Sequence, residues 1–409
     1  MINSHYVPML TLRKFGDKIS NYNVKTGKLK ENINLKNAYS EKGFYSNQIE
    51  ESLNKRIESQ FGSLFANKIN NASDKIVLSF DEVKVVKKFL LISVIRSMDA
   101  EKFMLQEKKY YDNAKDFARS SGIPESEIKQ SPFFNPPFIE KNIENESNFD
   151  YWMRTLGVIL DSDGSPQGIL EQPDKTYPAY RWSMVINNGY LAFWDSNYDS
   201  DEFVITDIGM TSENEKGWNG ITTHNVKKTN FLSSLLKNEK DKYYQQTIWN
   251  CLCMHRDFTE NFMMFPISAK RMIVEIDPFF KFRHTLSSRY SMPKLSELTF
   301  LDNEQLFIPN YVDYVEPQNG NEPKRNPNDK FIYEIKKLSI KETRYCNILF
   351  LDRINTNLGF SSLNKVAGSM FAYKKATSFP RVDYTELYKI ISNRYCSNID
   401  LSNIKILKD

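Results

Sequence analysis

The order in which hydrophobic periods follow one another along the chain constrains the fold most. Leu53, Ile57, Phe61, Leu64 and Phe65 recur at spacings of four, four, three and one, which is one face of a helix. Val83, Val86, Leu90 and Val94 mark a second helix, with Ser79 or Asp81 placed to cap its start. A third helix is expected over 100–120, a short one near Phe149–Leu160, and mostly helical pattern over 230–256. The middle of the chain changes period. Tyr190–Trp194 and Glu202–Thr206, separated by the turn-rich DSNYDSD, read as a hairpin. Asn261–Ile267 and Arg271–Ile276 read as a second strand pair, and NYNVKTGKLK near the start as a third. Helices are expected again over Asn355–Tyr373 and Tyr384–Arg394. Helices first and strands later predict an α+β fold, not a doubly wound parallel sheet. In it, an N-terminal helical region packs against a mostly antiparallel central sheet, with C-terminal helices. Three stretches follow: 1–120, a hairpin with the helical region; 121–149, a Pro-rich irregular linker or excursion; and 150–409, the strand-rich region. All three are compatible with one domain.

Several classes are excluded by composition. With 409 residues, 40% hydrophobic and 13% aromatic, the chain is too apolar for a disordered protein. A net charge of +4 permits contact with nucleic acid without singling it out. The start, MINSHYVPMLTLRKF, lacks the regions of a secretory signal, and no run is long and apolar enough for a membrane helix. We therefore expect a cytoplasmic protein with reduced thiols and no membrane partner. The phosphate-loop, dinucleotide, nucleophile-elbow and zinc-protease signatures are missing from the sequence.

The candidate chemical residues are few. Cys251, Cys253 and His255 would share a strand face, but zinc needs about four ligands and only Asp257 is near, so buried thiols beside a surface histidine are the plainer reading. His5 suits acid–base work near neutral pH. Glu58 and Arg96 border the apolar faces of adjacent helices, and unpaired half-buried charges are costly, so the two should pair. From spacing alone that pair is a structural salt bridge. Thr206-Asp207 ends a strand, where a carboxylate either faces a cleft or caps a loop. Lys365–Arg381, interrupted by Phe371, Tyr373 and Phe379, is an amphipathic helix with a basic face or, on a sharper reading, a stacking platform for nucleic acid.

Several of these residues fall in a familiar order. His5-Tyr6-Val7-Pro8 with Leu12-Arg13-Lys14-Phe15 resembles the opening of the domain-of-unknown-function family 4238. Gly43-Phe44-Tyr45, Ile57-Glu58, Arg96, Phe203-Val204-Ile205-Thr206-Asp207 and Phe265-Pro266-Ile267-Ser268 are similar to its further motifs, and Asn355 or Asn357 with Ala367 and Tyr373 to its C-terminal helix. The likeness spans about residues 3–375, with Met9, Ser97-Met98 and Ile208-Gly209 departing from the pattern. The resemblance carries no activity with it. It does imply that His5, Arg13, Glu58, Arg96 and Asp207 are recurring polar positions, which suggests one shared site.

Two functions are weighed. The first is a hydrolase of nucleic acid or a nucleotide, with His5, Glu58 and Asp207 catalytic and Arg13, Arg96 and Thr206 binding substrate. A divalent metal is compatible with its carboxylates, although no residue is assigned as a metal ligand. The family's scattered, accessory character suggests phage defence or a toxin-type effector as its setting. The second is a non-catalytic binding or sensor protein, in which the same polar groups form a buried network and a protein partner or a second copy is bound.

Overall fold

A computed structural model of the chain describes residues 3–97, 118–130, 148–161, 189–213, 233–242, 262–276, 330–375 and 382–395, with isolated residues between. The first elements are β1 (Asn3–His5), the single turn α1 (Met9–Leu12), β2 (Lys18–Asn23), β3 (Lys28–Asn34) and β4 (Ser40–Lys42). A helical rod, α2, follows over 47–69. It alternates α-helical Asn47–Ser52 and Ser59–Leu64 with π-helical Leu53–Glu58 and Phe65–Ile69. Then come β5 (Lys75–Ser79), α3 (Phe80–Ile95), α4 (Glu125–Gln130), α5 (Asn148–Asp161), β6 (Tyr190–Asp195), β7 (Ile205–Thr206) and β8 (Thr211–Glu213). The chain continues through β9 (Phe262–Pro266), β10 (Arg271–Ile276), β11 (Lys330–Lys337), α6 (Ile340–Asp352), β12 (Asn357–Phe360), α7 (Leu363–Lys375) and α8 (Thr385–Tyr395).

The rod's shape follows from its sequence. Leu53, Ile57, Phe61, Phe65 and Ile69 repeat every four residues, and all five are buried. On a 3.6-residue helix a strict four-residue stripe drifts by about 40° per repeat. The wider π turns absorb that drift and keep the stripe on the core. α3 begins at a capping box, in which Ser79 Oγ accepts from Glu82 N at 3.3 Å and Ser79 N donates to Glu82 Oε2 at 2.8 Å.

The strands form three sheets: β1-β4, β5-β11-β6-β10-β9-β8 and β3-β2-β12-β7. Every pair is antiparallel except β11 with β6. The fold is therefore α+β with mostly antiparallel sheets and C-terminal helices. The six-stranded sheet is apolar on both faces. Leu191, Phe193, Ile273, Met263 and Phe265 pack with α2, α3 and α5, while Trp194, Met272, Val274 and Met264 pack with α6, α7 and α8. A smaller cluster of Val7, Leu12, Phe15, Ile19, Leu35 and Tyr39 gathers the N-terminal strands. Among the described residues no helix is long and apolar enough to cross a membrane.

Several expected elements change. Tyr190–Trp194 does not form a hairpin with Glu202–Thr206: β6 lies between β10 and β11, and β7 pairs with β12 in another sheet. The carboxylates between them give the reason. Asp201 accepts from Arg344 Nε of α6 at 2.9 Å, and Glu202 accepts from Ser361 N and Ser362 N at the start of α7, at 2.6 and 2.9 Å. These bonds hold the segment on the helical layer. The same Glu202 contacts mark a later start than the expected helix 355–373: α7 begins at Leu363, and Asn357–Phe360 is a strand against β2. Residues 125–130, inside the expected excursion, are the helix α4. The Cys251/Cys253/His255 group and most of the expected helix 100–120 lie outside the described residues. Tyr373, one rung of the stacking platform, is buried and donates through its hydroxyl to Asp352 Oδ1 at 2.9 Å, which leaves the helix reading.

Candidate functional site

Arg96 is the centre of the polar group nearest to chemistry. It follows the last turn of α3 and is 1% exposed. Its Nη1 donates to Glu58 Oε1 at 2.7 Å, and its Nη2 donates to the backbone carbonyl of His5. Tyr45 closes the third side: its hydroxyl donates to Arg96 O at 3.1 Å and its ring stands 5.9 Å from Arg96 Cζ. Tyr45 is held in turn, since its N–H donates to Ser4 Oγ at 3.0 Å. β1, the middle of α2 and the end of α3 thus converge on one guanidinium. Burial opposes the Arg96 charge, but Glu58 outweighs it and the group stays cationic.

His5 is brought here by β1, where it pairs with Ser40 of β4. It is 8% exposed and its Nε2 has no hydrogen-bond partner. Burial, and after it the Arg96 charge, lower its pKa, so the ring is neutral at neutral pH. Glu50, two helical turns before Glu58, belongs to the same group. Burial raises its pKa, Arg96 opposes the rise and Glu58 adds to it. Glu50 Oε2 and Arg96 Nε are both buried without a partner.

Thr206 and Asp207 lie in a second group. Asp207 Oδ1 and Oδ2 accept from Asn355 N and Asn357 N, each at 3.2 Å, and its own N–H donates to Asn357 O at 3.1 Å. Burial lifts this carboxyl to about 6. Tyr39 donates to Ile205 O at 3.1 Å and stands edge-on to Tyr6, 6.1 Å between rings. Burial, with the Asp207 charge behind it, pushes the Tyr6 phenol up to about 12. Neither Thr206 nor Asp207 shares a hydrogen bond or ion pair with His5, Glu50, Glu58 or Arg96. Arg13 joins neither group, because its side chain is exposed at the end of α1. Of the six residues selected from sequence, three meet at Arg96, two at the β7–β12 turn, and one stands apart.

The family model for the protein family of unknown function DUF4238 matches residues 3–353. The chain belongs to that family. The DUF4238 match contains both polar groups except Asn355 and Asn357, and it stops before α7 and α8. No curated protein matches the chain, and no solved structure does.

Glu50 is the residue that sequence reasoning passed over. In a regular helix, eight residues turn about 80° beyond two full turns, which separates Glu50 from Glu58. The π segment Leu53–Glu58 inserts one extra residue between them. The pair then stands as residues seven apart would, about 20° from eclipsed. The four-residue stripe was the available signal.

Proposed function

We propose that this DUF4238 protein is an acid–base hydrolase of phosphate esters, with a nucleotide or nucleic acid as substrate. One observation carries the reading: His5 Nε2, Arg96 Nε and Glu50 Oε2 are buried around one guanidinium and none has a hydrogen-bond partner. Buried polar atoms are nearly always bonded, so three such exceptions in one group point to a ligand that completes them. A neutral imidazole accepts a proton from water, and an arginine donor suits a phosphate oxygen. Glu58 neutralises Arg96 and fixes its orientation. Asp207, already saturated by backbone N–H groups, takes no part. Among the described residues no three His, Cys, Asp or Glu side chains are grouped to hold a metal ion.

The second reading, a non-catalytic binding or sensor protein, rests on the same guanidinium: its terminal nitrogens tie β1 to α2 and α3 as a structural clasp. The clasp uses the His5 backbone carbonyl and not its ring, so the two readings separate at His5. In H5Q the clasp persists. Hydrolysis of at least one of dinucleotides, nucleoside triphosphates and single-stranded DNA and RNA, read by separation of the products, is expected with the wild type and lost in H5Q at an unchanged melting temperature. A wild type inert on the whole panel, or an H5Q protein as active as wild type, refutes the hydrolase. A toxin-type effector with this activity arrests growth of an expressing host, and H5Q relieves the arrest.

A further inference from the structure

We infer that Glu50 is the proton donor of this site, delivering its carboxyl proton to the oxygen that leaves phosphorus. The inference rests on the phosphate-ester reading and adds a residue that the family-like motifs do not contain. Three observations carry it. Glu50 Oε2 is buried and unbonded, so it is free to meet a ligand atom. The π segment, a helical form concentrated at functional sites, turns Glu50 and Glu58 to the same side of α2. Both act on Arg96, but only Glu58 bonds it, at 2.7 Å.

The two carboxyls therefore have different environments. Glu58 is paired with a cation. Glu50 is desolvated, which favours its protonated form; the Arg96 charge opposes this and the Glu58 charge adds to it. A carboxyl held toward its protonated form near a neutral imidazole supplies an acid beside a base. The charges also suit an anionic substrate: Arg96 offsets Glu58, His5 is neutral, and burial disfavours the charged form of Glu50.

The step balances. His5 Nε2 takes a proton from water as the water oxygen bonds to phosphorus. The phosphorus–oxygen bond to the leaving group breaks, and that oxygen takes the Glu50 proton. His5 is left as imidazolium and Glu50 as carboxylate, and one proton exchanged through solvent restores both.

The test is leaving-group dependence in E50Q, which keeps a hydrogen-bond donor but has no proton to give. The full-length chain is assayed on a dinucleotide, whose alkoxide leaves poorly, and on the p-nitrophenyl ester of the same nucleotide, whose leaving group needs no proton. General acid catalysis contributes roughly 10²–10⁴-fold, so kcat on the dinucleotide is expected to fall by about that factor. On the nitrophenyl ester it is expected to fall less than about tenfold, and the alkaline limb of the dinucleotide pH profile disappears. Equal losses on both esters, or none, overturn the assignment of Glu50, and an inactive H5Q beside them leaves the hydrolase standing. No turnover of either ester by wild type overturns both. Should E50Q fail to fold, carbon-13 titration of the wild-type glutamate carboxyls decides. Burial raises Glu202 and Glu275 as well, so the assignment rests on the response to ligand: a resonance that titrates above the ordinary glutamate range and moves higher with inorganic phosphate bound is expected, and the absence of any phosphate-dependent glutamate resonance overturns it.

Discussion

Gly368 of α7 has no room for a methyl group. A Cβ there would sit 2.4 Å from Arg344 Nη2 and 2.6 Å from Cζ and Nε of the same guanidinium. Arg344 lies on α6 and donates through Nε to Asp201 Oδ2 at 2.9 Å, and the Asp201 side chain is fully buried. In G368A the guanidinium must shift, because the new Cβ would overlap it, and a shift draws it off Asp201. Overpacking alone costs about 1–3 kcal/mol. Removing one partner of a buried ion pair costs about 3–5 kcal/mol. The first is relieved by way of the second, so they do not add, and we expect G368A to lose about 3–5 kcal/mol. The cost depends on pH. Burial already lifts the Asp201 carboxyl to about 6, and losing Arg344 lifts it further, so the variant suffers most where Asp201 must ionise. Urea unfolding at pH 5 and pH 8 measures both effects, with the larger loss at pH 8. A double-mutant cycle with Arg344→Met identifies the contact, since without a guanidinium the added methyl should cost less than half as much. A G368A loss under about 0.5 kcal/mol, or an equal loss in the Arg344→Met background, refutes this account of why α6 and α7 pack at this distance.

Two further outcomes are expected. Glu58→Ala leaves Arg96 buried without its carboxylate and should cost about 3–5 kcal/mol in urea unfolding; under 1 kcal/mol would mean the pair contributes little to the clasp. Asp207 has a folded pKa of about 6 against an ordinary 3.8, so the native state binds its proton more tightly than the unfolded chain. Stability is then fully present below about pH 4 for this group and falls as pH rises to about 6, by on the order of 3 kcal/mol. In Asp207→Asn that part of the slope vanishes from unfolding curves taken across the window; an unchanged slope assigns it to other groups.

What the sequence disclosed divides along physical lines. Local signals were legible. Ser79, one of the two residues placed to cap α3, does cap it, the Thr26-Gly27 turn joins β2 to β3, and β9 and β10 are joined through Pro266–Ser268. Pairings between distant strands were not. β6 reads as an apolar run because both of its faces are buried, and such a run says nothing about its neighbour. The partner of Ile205 is Gly359, more than a hundred residues later, and nothing local to either predicts the other. In the site, Glu58 and Arg96 were legible as a pair because half-buried opposite charges near adjacent apolar faces have few other solutions. Glu50 was not, because its placement depends on helical turns wider than the 3.6 residues against which the pattern was read.

The division of the polar residues into two groups traces to three consecutive residues. The His5 carbonyl bonds Arg96, the Tyr6 phenol lies near Asp207, and Val7 is fully buried in the small N-terminal core. Along an extended chain successive side chains point to opposite sides, so a His-Tyr pair necessarily reaches two environments. One segment therefore spans from the end of α3 to the β7–β12 turn, and each contact is made by a different part of it. The Arg96 contact is to backbone and tolerates any side chain at position 5, whereas the free Nε2 requires histidine. The ring is held by the backbone at Leu35 and Lys36, which a clasp alone could use. Its Nε2, buried and unbonded, is the part of the segment that packing does not account for.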